Sequence, residues 1–192
     1  MPLYTRAGSV PAPLPYRIIL ADGRSRTDPA TFTAPEIADA GYVEAPAKPS
    51  FDPDAEYLDW TGSDWAVESL PPPSSDEVDA ERDRRIAAGF SFGGKDYQSR
   101  EQDRENISGA SVAALAAMMN GAQPADLRWH GGASDFAWIA ADNSLTTMDA
   151  QTMFAFGQAA MAHKQAHIFA ARALKDADPV PLDFTDDANW PA

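Results

Sequence analysis

The chain predicts an α+β protein in two parts: a small β-rich N-terminal module, and a C-terminal domain running helix, β-hairpin, helix, short strands, long helix. Three observations carry this. Before residue 70, apolar and aromatic residues come in short alternating runs broken by Gly- and Asp-containing turns. After residue 75 they recur at helical spacing over long stretches. Between them stand Pro71, Pro72 and Pro73, which neither a helix interior nor a central strand tolerates. The expected organisation is a module over 1–70, a Pro/Ser linker over 71–75, a domain over 76–178 and an acidic tail over 179–192.

In the module, "YRIIL", "ADGR" and "SRTDPATF" read as a strand, a turn at Asp22-Gly23 and a second strand. "TAPEIADAGY" reads as a helix of one or two turns, with Thr33 at the N-cap, Pro35 and Glu36 in the first turn and Gly41 as the stop. "EYLDWTGSDWAV" reads as two strands around Thr61–Asp64. The module is small, so its aromatics are expected to need cover from a neighbour or from another chain.

Beyond the prolines, Ser74 or Ser75 caps a helix with acidic residues in its first turn, arginines late and Gly89 at its end, an order that suits the helix dipole. The cluster at Arg82, Arg84 and Arg85 is flanked by Glu81 and Asp83 and reads as a salt-bridged face. A second helix follows, with Ser99 as the expected cap and Ile107, Ala110, Ala114, Leu115, Met118 and Met119 on its apolar side; Asn120-Gly121 ends it. Two extended segments are expected around Gly131-Gly132. Thr146 and Asp149 resemble a capping box for a last helix of about 28 residues. Its inward face is expected to hold Met153, Phe156, Gly157, Ala160, Met161, Lys164, Ile168, Ala171 and Leu174, with Pro179 and Pro181 closing it. The remaining "DFTDDANWPA" is acidic and expected to be loosely ordered.

Composition narrows function. The net charge is −14 and the isoelectric point 4.4, which disfavours nucleic acid and anionic membranes as partners. There are no cysteines, hence no disulfide, zinc–thiolate site or Cys nucleophile. No apolar run approaches the ~20 residues of a membrane span, and Pro11, Pro13 and Pro15 interrupt what would be a signal-peptide core. Synthesis and folding in a cytoplasm are expected.

"GFSFGGKD", residues 89–96, comes within one residue of the phosphate-binding pattern G-x-x-x-x-G-K-[ST]. Asp96 stands where the Mg²⁺-binding hydroxyl belongs, a charged helix precedes the loop, and the following helix begins too late. Phe90 and Phe92 alternate before Gly93-Gly94 as in a two-residue hairpin, so paired strands with Lys95 facing solvent are expected. His163 and His167 have metal-binding spacing, yet Lys164 replaces the glutamate of the zinc-protease pattern, and they read as surface or helix-packing residues. No serine lies on a G-x-S-x-G elbow. Catalytic residues, cofactor and metal are all expected to be absent. Five tryptophans in a small acidic chain point instead to contact surfaces; Trp129 and Trp138 read as core. The candidate protein-contact residues are Phe51, Tyr57, Trp60, Trp65 and Trp190.

The segment from "RIAAGFSFGGKDYQSREQDRENISGASVAAL" to "AADNSLTTMDAQTMFAFGQAAMAHKQAHIFAARAL", residues 82–176, resembles an uncharacterised domain recurring in tail-region proteins of tailed bacteriophages. The N-terminal "TDPATFTAPEIADAGYVEAP" is similar, less specifically, to small proteins of the same gene neighbourhoods. The resemblance implies a virion protein at the tail tip, baseplate or fibre attachment. Its implied partners are other tail proteins (tip, hub or fibre), and a homo-oligomer is expected from tail symmetry. A tail-fibre assembly chaperone is the alternative, a hydrolase or nucleotide-binding enzyme a distant third.

Overall fold

A computed structural model describes residues 2–191. It is mixed α and β, with four α-helices and five separate antiparallel strand pairs, and divides between Pro71 and Pro72 into two compact units.

In the N-terminal unit, β1 (Tyr4–Arg6) pairs with β4 (Tyr42–Glu44), a long-range pairing that the local patterns did not reveal. β2 (Arg17–Ile19) and β3 (Ser25–Thr27) form the expected hairpin across Asp22-Gly23. A 3₁₀ turn at Pro29–Thr31 leads to α1 (Ala34–Asp39). Thr33 caps α1, and the Glu36 carboxylate accepts from the Thr33 amide at 2.9 Å, satisfying a donor that helix geometry leaves free. β5 (Glu56–Trp60) and β6 (Trp65–Ser69) form the second predicted hairpin. Ile18, Leu20 and Ala40 make up the small core, with Phe32 and Tyr42 against it.

The C-terminal unit opens with α2 (Ser75–Ala88), so the helix begins inside the segment expected to be linker. Ser74 is the cap: its hydroxyl accepts from the Glu77 amide and the Glu77 carboxylate accepts from the Ser74 amide at 2.7 Å. The salt-bridged face is present, with Arg82 on Asp79 and Asp83 and both Arg84 and Arg85 on Glu81. β7 (Phe90–Phe92) and β8 (Lys95–Tyr97) pair with Phe90 opposite Tyr97 and Phe92 opposite Lys95. Gly93 and Gly94 have φ of 59° and 78°, the left-handed pair a tight hairpin turn requires.

α3 (Glu101–Met119) starts two residues after Ser99, and its N-cap is Arg100. The structure corrects the Ser99 cap: its side chain is fully buried. The extended segments also differ from expectation. β9 (Ala137–Ile139) and β10 (Leu145–Thr147) pair across Asp142-Asn143, with Asn143 at φ 64°, rather than around Gly131-Gly132. Asx side chains tolerate the left-handed region and close turns on their own backbone; here the Asp142 carboxylate accepts from the Ser144 amide at 2.9 Å.

α4 (Ala150–Asp176) is the long helix, about 40 Å at 1.5 Å per residue. Its cap is Asp149, which accepts from the Thr152 amide at 2.8 Å and the Ala125 amide at 2.7 Å, while Thr146 lies in β10. This replaces the expected Thr146 capping box. Phe156 sits at the centre of the core, with ring centroids of Phe90, Phe92, Tyr97 and Trp138 at 5.2, 5.4, 4.7 and 5.6 Å. Gly157 lets α3 and α4 approach: a Cβ there would lie 2.5 Å from the Ser111 Cβ. Among the described residues no helix is long and apolar enough to cross a membrane.

The acidic tail is a further correction. After α4 the chain turns back, forms a 3₁₀ turn at Asp187–Asn189 and buries Trp190 in a second cluster with Val78, Ala171 and Leu174.

Candidate functional site

The predicted contact residues do not form one surface. In the β5–β6 hairpin, Trp60 lies opposite Trp65 and Leu58 opposite Val67, which places these side chains on one face and Tyr57 on the other. The two indoles meet edge to face at 5.2 Å. Trp60 donates its Nε1–H to the Gly8 carbonyl at 3.0 Å, and Trp65 donates to the Pro46 carbonyl at 3.1 Å. Lys48 stands over the Trp65 ring at 4.8 Å. Both tryptophans are half-buried and tie the loops at 8 and 46–48 to the hairpin. Their polar handles are used within the unit. Tyr57 and Phe51, at 44% and 39% exposed, are the aromatics of this set that offer substantial open surface.

Trp190 is corrected as a contact candidate. It is 7% exposed, donates to the Phe184 carbonyl at 2.7 Å, stacks on His167 and lies under the Arg85 guanidinium at 5.2 Å. Arg85 in turn pairs with Glu81 and Asp187. Cation, indole and imidazole form a stack that fastens the C-terminal segment to α2 and α4.

The histidine pair is internal as well. His167 is buried, its Nδ1 is 2.9 Å from the His163 carbonyl, and the two rings lie 4.4 Å apart. The His163 Nε2 is buried with no hydrogen-bond partner. Burial first, and the facing His167 second, hold the His163 pKa below its ordinary value, so His163 is neutral at neutral pH. Among the described residues, no group of three or more His, Cys, Asp or Glu is placed to hold a metal ion.

At the "GFSFGGKD" hairpin Phe90 and Tyr97 turn into the core. Lys95 does not face open solvent as expected. It is half-buried and donates to the Ser144 hydroxyl at 2.8 Å, while the Ala141 amide donates to the Asp96 carbonyl at 2.8 Å. The lysine that completes the phosphate-loop likeness joins two hairpin turns.

The surface that sequence reasoning missed lies on α3 and α4. Leu115, Met119, Met161 and Ile168, assigned to inward faces, are exposed, Met119 to 82% and Met161 to 60%. They miss the core because each helix turns a narrower stripe inward: Ile107 and Ala114 on α3, and Met153, Phe156, Ala160 and His167 on α4. Between the helices runs a groove of about 290 Å³ whose lining includes Ile107, Ser108, Ser111, Val112, Gly157 and Met161, with Arg104 and Lys164 at one end. An apolar run broader than one buried stripe was the sequence signal for it.

Residues 71–188 match the family described as a domain of unknown function, DUF4376. The match spans more than half of the chain, which therefore belongs to that family. It begins at the boundary between the units and includes most of the folded-back C-terminal segment. No curated protein and no solved structure matches the chain.

Proposed function

We propose that this DUF4376 chain is a non-enzymatic structural component of a tailed-bacteriophage virion, at the tail tip, baseplate or fibre attachment, and works through protein–protein contacts. The motif resemblance over residues 82–176 supports the tail assignment. The observation that carries a contact role is exposed apolar surface on the C-terminal helices, where Val112, Met119 and Met161 lie open to solvent. The partners are other tail proteins, with copies of the chain arranged on a tail symmetry axis. It is made in the host cytoplasm and ends in the particle. Mass spectrometry of purified particles tests this reading: the chain should be present at fixed stoichiometry, and its absence would sink the structural assignment. The net charge of −14, which favours solubility, supports a second reading as a fibre-assembly chaperone. That reading expects absence from particles together with a soluble complex with the fibre protein during infection.

A further inference from the structure

The α3–α4 groove combines two features. Its walls carry open apolar side chains, Val112 at 65% and Met161 at 60% exposed. Its end carries Arg104 and Lys164, one from each helix, neither paired with a carboxylate among the described residues. Arg104 donates to the Ser99 carbonyl, and Asp83, the carboxylate that feels both Arg104 and Lys164, is bonded to Arg82 instead. The groove opens at that end onto a second hollow, where Arg82 and Arg100 join the same two cations. Asp83 and Glu101 are the acidic residues there; Asp83 is engaged by Arg82, and Arg100 by Asp103. In a chain of net charge −14 this is a local excess of positive charge beside an apolar trough.

We infer that the α3–α4 groove docks an amphipathic helix of a protein partner, its apolar stripe against Val112 and Met161 and its carboxylates on Arg104 and Lys164. Charge complementarity selects an acidic occupant. The apolar trough selects a protein segment over a phosphate polymer, which the overall charge also repels. Helical form follows from the walls. Both are α-helices with their backbone groups already bonded, so an extended segment would bury amides and carbonyls without partners, whereas a helix brings its own. From Arg104 to Val112 the lined wall runs roughly 12 Å, just over two turns of a docked helix. The floor is low because Ser108, Ser111 and Gly157 are small, which lets a partner backbone approach.

This inference needs only that the chain works by protein contact, not that it sits in a virion, so it fails separately from the particle assay. The experiment is a selection from a display library of helical peptides of about 16 residues against the full chain, counter-selected on Val112→Asp. Recovered peptides should carry apolar residues at i, i+3, i+4 and i+7, with Asp or Glu clustered at one end. Their affinity, read by fluorescence anisotropy, should fall by about tenfold or more on Lys164→Glu, and again with Arg104→Glu, and should weaken with added salt. Val112 and Lys164 are exposed and Arg104 is half-buried, and circular dichroism verifies that the variants fold. Enrichment of basic or uncharged peptides, no enrichment surviving the Val112→Asp counter-selection, or affinity unchanged by Lys164→Glu overturns the proposal. So does self-association of the chain that Val112→Asp abolishes, because the occupant is then a second copy.

Discussion

The N-terminal unit buries three apolar residues in its core, Ile18, Leu20 and Ala40, whereas the C-terminal unit buries ten in the cluster that includes Phe156 and four in the one that includes Trp190. At about 25 cal/mol per Å² of apolar surface removed from water, that difference places most of the hydrophobic stabilisation in the second unit. The first unit compensates with tight local chemistry: the Thr33–Glu36 capping box, the Asp22 and Asp28 turns, and two indole hydrogen bonds that pin loops. Aromatic residues show the contrast most clearly. Phe156 is ringed by four other aromatics in a closed core. Trp60 and Trp65 pack on each other and work largely through their N–H groups. A unit with a wide core can leave apolar side chains over for its surface; a unit with a narrow core must use its aromatics to hold itself together.

The strongest way to break the comparison is Phe156→Ala. Removing a central ring costs about 3–5 kcal/mol. Hydrogen exchange resolved by segment should show protection lost across α2, α3 and α4, with the β2–β3 and β5–β6 hairpins unchanged. Equal loss in both units would show that they fold as one. A middle-sized effect is expected at Asp149→Ala, which removes the cap of α4 and the acceptor for the Ala125 amide. The cost is about 1–2 kcal/mol, read as a lower urea midpoint for the helical unit with its m-value unchanged.

The smallest effect is a pH dependence confined to the C-terminal unit. The His163 pKa lies below its ordinary 6.5, chiefly through burial, then through His167, with Arg104 opposing the proton as well. The unfolded chain therefore binds that proton first as pH falls. Stability from this site is complete above about pH 6.5 and declines as pH drops from there through the folded pKa. The carboxylates act lower. Glu77 and Asp149 are held below their ordinary values, Glu77 first by the Ser74 amide and Asp149 first by its bond at Thr152. Their contribution is lost only as pH falls below about 4.5. Denaturant midpoints of His163→Leu should be flat between those windows where the wild-type chain already slopes. An unchanged slope would remove the buried pair as its cause.

Much of the fold was legible because it rests on residues close in the chain. The hairpins at Asp22-Gly23, Thr61–Asp64 and Gly93-Gly94, the Thr33 and Ser74 caps and the Gly89 stop each depend on backbone geometry over a few positions. The candidate site was less legible. Tyr57 and Phe51 are exposed as a contact role requires, but Trp190 is internal and the α3–α4 groove was hidden inside an apolar pattern. Periodicity marks which residues share a helix side; it does not say how wide a stripe a neighbouring helix will cover.

By itself the sequence determined the α+β class, the break at the prolines, the separation of strand-rich and helical units, and the hairpin in place of a phosphate loop. All follow from propensity, turn chemistry and capping, which act within a turn of helix or a pair of strands. Only tertiary structure decided that β1 crosses the unit to pair with β4, that Lys95 reaches Ser144, that the acidic tail folds back under Arg85, and that Met161 stays in water while Phe156 is sealed. Each is a choice among partners far apart in the chain, settled by which surfaces can close on one another.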